Sequence, residues 1–193
     1  MTDGEFYGDA LCVLKDAKNF LLELVGQYPD RAAIVSCQSR IKAAQSMIEK
    51  LGRQGFDVNL QSALQRVYDA VGIRIICGFI DDVYRVGEWL STCPKIEIDR
   101  RKDYIAYPKP NGYRSLHLCL RICDGAAAGT LAEIQIRTMA IDCWATLEHQ
   151  LKYKHKIPHE ELIRRELKRC ADEIAATDMS MQTIRDMLAD KNF

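Results

Sequence analysis

The chain has 193 residues, 48% of them hydrophobic and 28% charged, with 27 Lys+Arg against 27 Asp+Glu. That length holds one domain with a real core, or one domain plus a helical appendage, and the charge balance excludes a global field for nucleic acid or an anionic membrane. No apolar run reaches membrane-spanning length, "MTDGEFYGDA" has no signal-peptide pattern and the eight cysteines include no C-x-x-C pair, so the expectation is a cytoplasmic protein with reduced, mostly core cysteines and no structural zinc.

Residues 8–25 place Leu11, Leu14, Ala17, Leu21, Leu24 and Val25 at helical spacing, and "GQYPD" ends that helix. A second helix is expected over 38–51, with Ile41, Ala44, Ile48 and Leu51 on one stripe and Lys42, Ser46 and Lys50 on the opposite face. Two ammonium groups with a hydroxyl between them suit a polyphosphate, although a merely solvated face has the same pattern. "GRQGFDVN" is a loop, and residues 60–71 read as a short helix or turn. "GIRIICGFI" is a buried strand, with Asp69 just ahead of it and Arg74 inside it. A guanidinium in so apolar a strand needs a partner or an open cleft. Asp69 fits a turn as well as it fits a metal ligand.

Residues 81–92 return to helix, and "KIEIDR" is a short alternating strand. "KDYIAYPKPNGYRSLHLCLRI" begins as a loop with an Asn-Gly turn that offers Lys109 and Tyr113. A tyrosine there is a lid on the core or a platform for stacking a base. The stretch then alternates, with Ser115, His117, Cys119 and Arg121 on one side and Leu116, Leu118, Leu120 and Ile122 on the other. "LAEIQIRT" alternates in the same way, and its spacing places it beside 115–122. His117, Arg121, Glu133, Gln135 and Arg137 then line one sheet face; a half-solvated antiparallel sheet is the plainer alternative. Residues 138–154 form a helix started by Thr138, with Ala140, Cys143, Trp144, Leu147 and Leu151 as its apolar positions. Pro158 interrupts, and 159–189 is one helix or a pair.

The element order α-α-β-α-β-β-β-α-α implies an α+β protein, a mixed β-sheet flanked by helices. Clustered cations, two separated acids and an aromatic platform match the needs of phosphoryl transfer: hard oxygens for Mg²⁺, Lys and Arg on phosphates, and a base near a hydroxyl. Spacing alone reaches a nucleotide-handling cleft and leaves donor and acceptor open.

Five segments in order, "RIKAAQSMIEK", "DAVGIRIIC", "RRKDYIAYPKPNGYRSLH", "EIQIRT" and "WATLEHQLKYK", resemble the synthetase domain of RelA/SpoT-type alarmone synthetases, most nearly the stand-alone small ones. The resemblance implies a nucleotidyltransferase-like fold with C-terminal helices. It also implies transfer of the β,γ-pyrophosphate of ATP to the 3′-hydroxyl of GDP or GTP, with Mg²⁺ as cofactor. Carried over by position, Asp69 and Glu133 would hold the metal, with Glu133 also the base and Gln135 supporting it. Arg40 and Arg74 would sandwich adenine, while Lys42, Ser46 and Lys50 face the ATP phosphates. Tyr113 would stack on guanine, and Lys102, Lys109 and His117 would contact acceptor phosphates or ribose. Asp142 matches a guanine-reading position where the family often has asparagine.

The resemblance further implies a homo-oligomer, commonly a tetramer, with residues 1–157 as the synthetase domain and 158–193 as a helical extension at the interface. The four histidines (117, 149, 155, 159) are none of them followed by Asp, so no His-Asp hydrolase site is expected. Two other readings stay open: a toxin-like relative that modifies the tRNA 3′ end, for which the neutral charge is unfavourable, and a non-catalytic alarmone sensor, which the presence of both acids disfavours.

Overall fold

A computed structural model describes residues 1–153 and 160–189, and at its centre five strands lie in the order β1-β2-β5-β4-β3. They are β1 (Ile34–Ile41), β2 (Val71–Cys77), β3 (Ile96–Asp103), β4 (Leu116–Ile122) and β5 (Leu131–Thr138). Only the β2–β5 pair is parallel; β1–β2, β4–β5 and β3–β4 are antiparallel. The sheet is therefore mixed, as the element order implied.

One face of the sheet is aliphatic. Ile73, Ile75, Leu116, Leu118, Leu120, Ile134 and Ile136 are fully or almost fully buried there. Helix α2 (Ala10–Val25) supplies Leu14, Ala17 and Leu21 to this core, and α5 (Ile80–Ser91) supplies Val83, Val86 and Leu90. At Gly87 of α5 an added Cβ would lie 2.6 Å from the Leu116 side chain, so helix and sheet touch at backbone distance.

The expected helix over 38–51 is corrected. Residues 34–41 are an edge strand paired with β2, and only Ala44–Arg53 (α3) is helical. Ile41, Ala44, Ile48 and Leu51 do fall at helical spacing, but residues 36–41 pair continuously along β2, and that ladder overrides the local period. Lys42 thus sits in the connection, not on a helix face. Its place is held from afar: α1 (Asp3–Tyr7) sends the Asp3 carboxylate to accept from Ala44 N at 2.7 Å, and Tyr7 Oη donates to the Lys42 carbonyl at 2.7 Å. Asp3 caps α3, whose own N-cap residue, Ala43, has no side-chain oxygen.

Strand β3 runs on to Asp103, which brings Lys102 out of the loop and into the sheet. A short α4 (Leu60–Gln65), capped by Asn59, precedes β2. Helix α6 (Met139–Tyr153) follows β5 directly, with Thr138 Oγ1 accepting from Ile141 N, and α7 is a single helix over Glu160–Ala189. Pro158 lies outside the described residues. On α6 the buried residues are Ile141, Trp144 and Ala145, whereas Leu147 and Leu151 are exposed. The cysteine expectation is also corrected: only Cys77 and Cys119 are buried, and Cys12, Cys123 and Cys143 are exposed. Among the described residues, no helix is long and apolar enough to cross a membrane.

Candidate active site

The other sheet face is polar, and strand register arranges it in two rows. The first runs Gln38, Arg74, Gln135, His117, Lys102 across all five strands; the second runs Arg40, Gly72, Glu133, Cys119, Arg100. Alternation along each strand puts these residues on one face, and pairing sets them side by side. Glu133 stands between Gly72 and Cys119, two small neighbours. The Arg40 side chain passes over Gly72, its Cγ 3.6 Å from where a Cβ would be, an ordinary contact distance.

Glu133 is gripped at both oxygens. Oε1 lies 3.2 Å from His117 Nδ1, and Oε2 accepts from Gln135 Nε2 at 2.8 Å. Burial alone would raise its pKa. The hydrogen bond from His117, the charge that imidazole can carry, the Gln135 amide and nearby Lys50 outweigh burial and hold it down at about 2. Glu133 is therefore an anion throughout the neutral range.

Asp69 lies at the entrance to β2, with Lys50 Nζ 2.6 Å from Oδ1 and Lys42 Nζ 3.2 Å from Oδ2. Two cavities, of about 210 and 360 Å³, are both lined by Asp69 and Glu133. The first also has Gln38, Arg40, Arg74 and Gln135 in its wall. The second is lined by Lys50, Arg66, Arg100 and Lys102 among others. The two acids thus stand where two cation-lined clefts meet. Among the described residues no group of three or more His, Cys, Asp or Glu side chains could enclose a metal. Two carboxylates completed by water and phosphate oxygens are nonetheless a usual Mg²⁺ arrangement.

On the far side of His117 the Asn-Gly turn delivers Tyr113, whose Oη is 2.9 Å from His117 Nε2. Gly112 has φ +89°, and a Cβ there would lie 2.6 Å from Ala171 Cβ, so the turn rests directly on α7. The Tyr113 ring packs into a small second core with Trp144, Ala145, Leu167 and Ala171. Lys109 Nζ lies 4.5 Å from the Tyr104 ring centroid and 4.9 Å from that of Tyr113. Asp142, on the first turn of α6, contacts Arg137 Nη1 at 3.1 Å and Arg74 Nη1 at 3.5 Å through the same oxygen.

Of the residues singled out from sequence, Arg40, Asp69, Arg74, Lys102, Lys109, Tyr113, His117, Glu133, Gln135 and Asp142 converge on this face. Lys42 and Lys50 reach it through Asp69. Ser46 is exposed on α3 and lines neither cavity. Arg121 lies on the same face but at its far end, exposed, facing Asp99 at 3.8 Å.

The family model described as "Region found in RelA / SpoT proteins" matches residues 39–158, well over half of the chain. The chain belongs to the RelA/SpoT family. The matched segment contains both polar rows except Gln38. Among RelA/SpoT relatives, the GTP pyrophosphokinase YwaC of Bacillus subtilis is 39% identical over 151 residues, 77% of this chain and 72% of that protein. YjbM of the same organism, also a GTP pyrophosphokinase, is 34% identical over 159 residues, 81% and 74% of the two chains. The crystal structure of small alarmone synthetase 1 from B. subtilis bound to its product pppGpp superposes with a TM-score of 0.81 at 34% identity. It covers 93% of this chain and 96% of that one.

Within this RelA/SpoT site, sequence reasoning placed Arg137 on the polar face but gave it no part. It is 4% exposed and contacts Tyr113, Gln135 and Asp142. The one available signal was its place in the "EIQIRT" alternation. Tyr104, edge-on to both Tyr113 and His117, was missed because nothing local marks a tyrosine in a proline-rich loop.

Proposed function

We propose that the chain is a (p)ppGpp synthetase, transferring the β,γ-pyrophosphate of ATP to the 3′-hydroxyl of GDP or GTP. The observation that carries this reading is Glu133, an anion gripped at both oxygens and standing with Asp69 at the junction of two cation-lined clefts. In the reaction the 3′-oxygen bonds to Pβ, the bond from Pβ to the oxygen bridging Pα breaks, and AMP leaves.

Arg40 and Arg74 take the adenine side, and Lys42 and Lys50 turn from Asp69 to the phosphates. Ser46 adds a hydroxyl at the edge of that side. Tyr113 stacks on guanine, Asp142 accepts from its N–H groups, and Lys102, Lys109 and His117 hold the acceptor's ribose and phosphates. Each Glu133 oxygen uses one acceptor site on His117 or Gln135, and a carboxylate oxygen has a second. Asp69 and Glu133 would hold Mg²⁺, which when bound would neutralise phosphate charge and acidify the acceptor hydroxyl. A carboxylate with a pKa of about 2 binds a hard cation well and retains a proton poorly. Glu133 therefore orients the 3′-hydroxyl by accepting its hydrogen bond and passes the proton on to solvent.

The reading extends to a cytoplasmic homo-oligomer, a tetramer, with 1–157 as the synthetase domain and 158–193 contributing the interface. Exposed Leu162, Met179, Ile184, Met187 and Leu188 on α7 support that role, although the helix also packs back on its own chain through Trp144, Arg114 and Thr138. Purified protein given Mg²⁺, ATP labelled in the β,γ-phosphates, and GDP, GTP or tRNA in separate reactions tests the function. Label on the guanosine nucleotides is the expected result. Label on tRNA alone, or on nothing, would overturn it.

A further inference from the structure

We propose that Arg137 is a positioning residue of the transfer reaction: one guanidinium anchors two hydrogen-bonded routes that converge on the two oxygens of Glu133. The inference rests on the synthetase reading above and assigns the part played by a residue that touches neither nucleotide in it.

Arg137 lies on β5 beside Ile76 and is nearly inaccessible. Its Nη2 donates to Tyr113 Oη at 2.9 Å and to Gln135 Oε1 at 2.7 Å, and its Nη1 donates to Asp142 Oδ1 at 3.1 Å. A guanidinium can only donate, and a carboxylate can only accept. Gln135 must therefore turn its oxygen to Arg137 and its amide nitrogen to Glu133, which fixes an amide orientation otherwise open to a flip. Tyr113 Oη likewise accepts from Arg137 and lies 2.9 Å from His117 Nε2, so the same guanidinium holds the hydroxyl against the imidazole. The other imidazole nitrogen, Nδ1, lies 3.2 Å from Glu133 Oε1.

Arg137, Tyr113, His117, Glu133 and Gln135 form a closed ring of polar contacts. The fork also ties Asp142 of α6 to the ring, and that carboxylate reaches on to Arg74 in the first cavity. The planar fork is what spans a loop, a strand and a helix at once; an ammonium group cannot do so with the same geometry. Among the described residues, Arg137 Nε is the one buried side-chain nitrogen or oxygen without a hydrogen-bond partner. Burying a guanidinium with an unmade bond is unfavourable. The sequence nevertheless places one here, where the ring uses its other nitrogens.

The test compares wild type, Arg137→Lys and Tyr113→Phe as full-length protein. Each is assayed for GDP-dependent transfer and, separately, for binding of an α,β-methylene ATP analogue. Arg137→Lys should lose about 10- to 100-fold in kcat/KM for GDP, the worth of hydrogen bonds to a charged group, while analogue affinity stays within about twofold. Tyr113→Phe, which removes one hydroxyl and keeps the ring, should lose about fivefold and add little in the double variant.

Transfer within about threefold of wild type in Arg137→Lys would overturn the proposal. So would parallel loss of transfer and analogue binding in both variants, which marks a role in folding alone. If wild type itself transfers nothing while still binding the analogue, the synthetase reading fails first and the inference falls with it.

Discussion

Strands β4 and β5 present two faces built by one alternation, and the faces obey different rules. On the first, Leu116, Leu118, Leu120, Ala132, Ile134 and Ile136 are completely buried against α2 and α5. Their contribution is area removed from water, which has no direction, so another aliphatic residue of similar volume would serve nearly as well. On the second, His117, Glu133, Gln135 and Arg137 are each defined by the atom opposite, because donors and acceptors cannot be exchanged. The aliphatic face tolerates changes of identity and carries stability. The polar face tolerates almost none and carries chemistry, at some cost in buried charge.

The largest test of this contrast is Glu133→Gln. Turnover should fall about 10²- to 10⁴-fold through loss of metal and base chemistry, in a protein that is less stable than wild type but still folded at assay temperature. A protein that unfolds instead would erase the distinction between the faces. Leu118→Ala should do the reverse, losing about 2–5 kcal/mol in denaturant unfolding while the remaining folded protein keeps its KM values.

Asp142→Asn comes next. It keeps one acceptor oxygen but removes the charge shared by Arg74 and Arg137, so kcat/KM for GDP should drop by about 1–2 kcal/mol in barrier terms. A drop confined to the ATP side would place Asp142 outside the acceptor pocket.

The smallest effects concern pH. Glu133 is held below its unfolded value, so its stabilisation is present above about pH 4.5 and is lost as pH falls toward 2. Asp178 behaves oppositely: burial raises its pKa, which the Thr138 hydroxyl, donating at 2.5 Å, opposes only in part. Its contribution is full below its unfolded value and is lost as pH rises through the folded one. Asp178→Asn should therefore be slightly more stable than wild type at pH 8, by less than about 1 kcal/mol, and equal to it near pH 4. Equal stability at both pH values would show that the Thr138 contact offsets burial in full.

The two faces were also unequally legible. The leucine and isoleucine rows followed from period two, and so did the grouping of His117, Glu133 and Gln135. Strand β1 was missed because it is an edge strand with no fully buried residue, while Ile41, Ala44, Ile48 and Leu51 mimic a helical stripe. With it went the true position of Lys42. Ser46 keeps its helical spacing to Lys50 on α3 but loses it to Lys42, and it lies exposed outside both cavities. Cysteine was expected in the core on its neighbours' hydropathy, yet three of the eight are exposed, Cys143 beside buried Trp144 among them.

Local periodicity thus determined which residues share a face, where α2, α5 and α6 run, and that cations and two acids meet near a turn carrying Tyr113. Tertiary structure alone decided the partners. Strand register set Arg74 beside Gln135 and His117 beside Lys102. Asp3 reached across 41 residues to cap α3, and α7 closed behind Gly112 so that Tyr113 faces His117 and Arg137. The physical reason is that a side chain's period is a property of its own segment. The atom it bonds depends on pairings and packing between segments far apart in the chain.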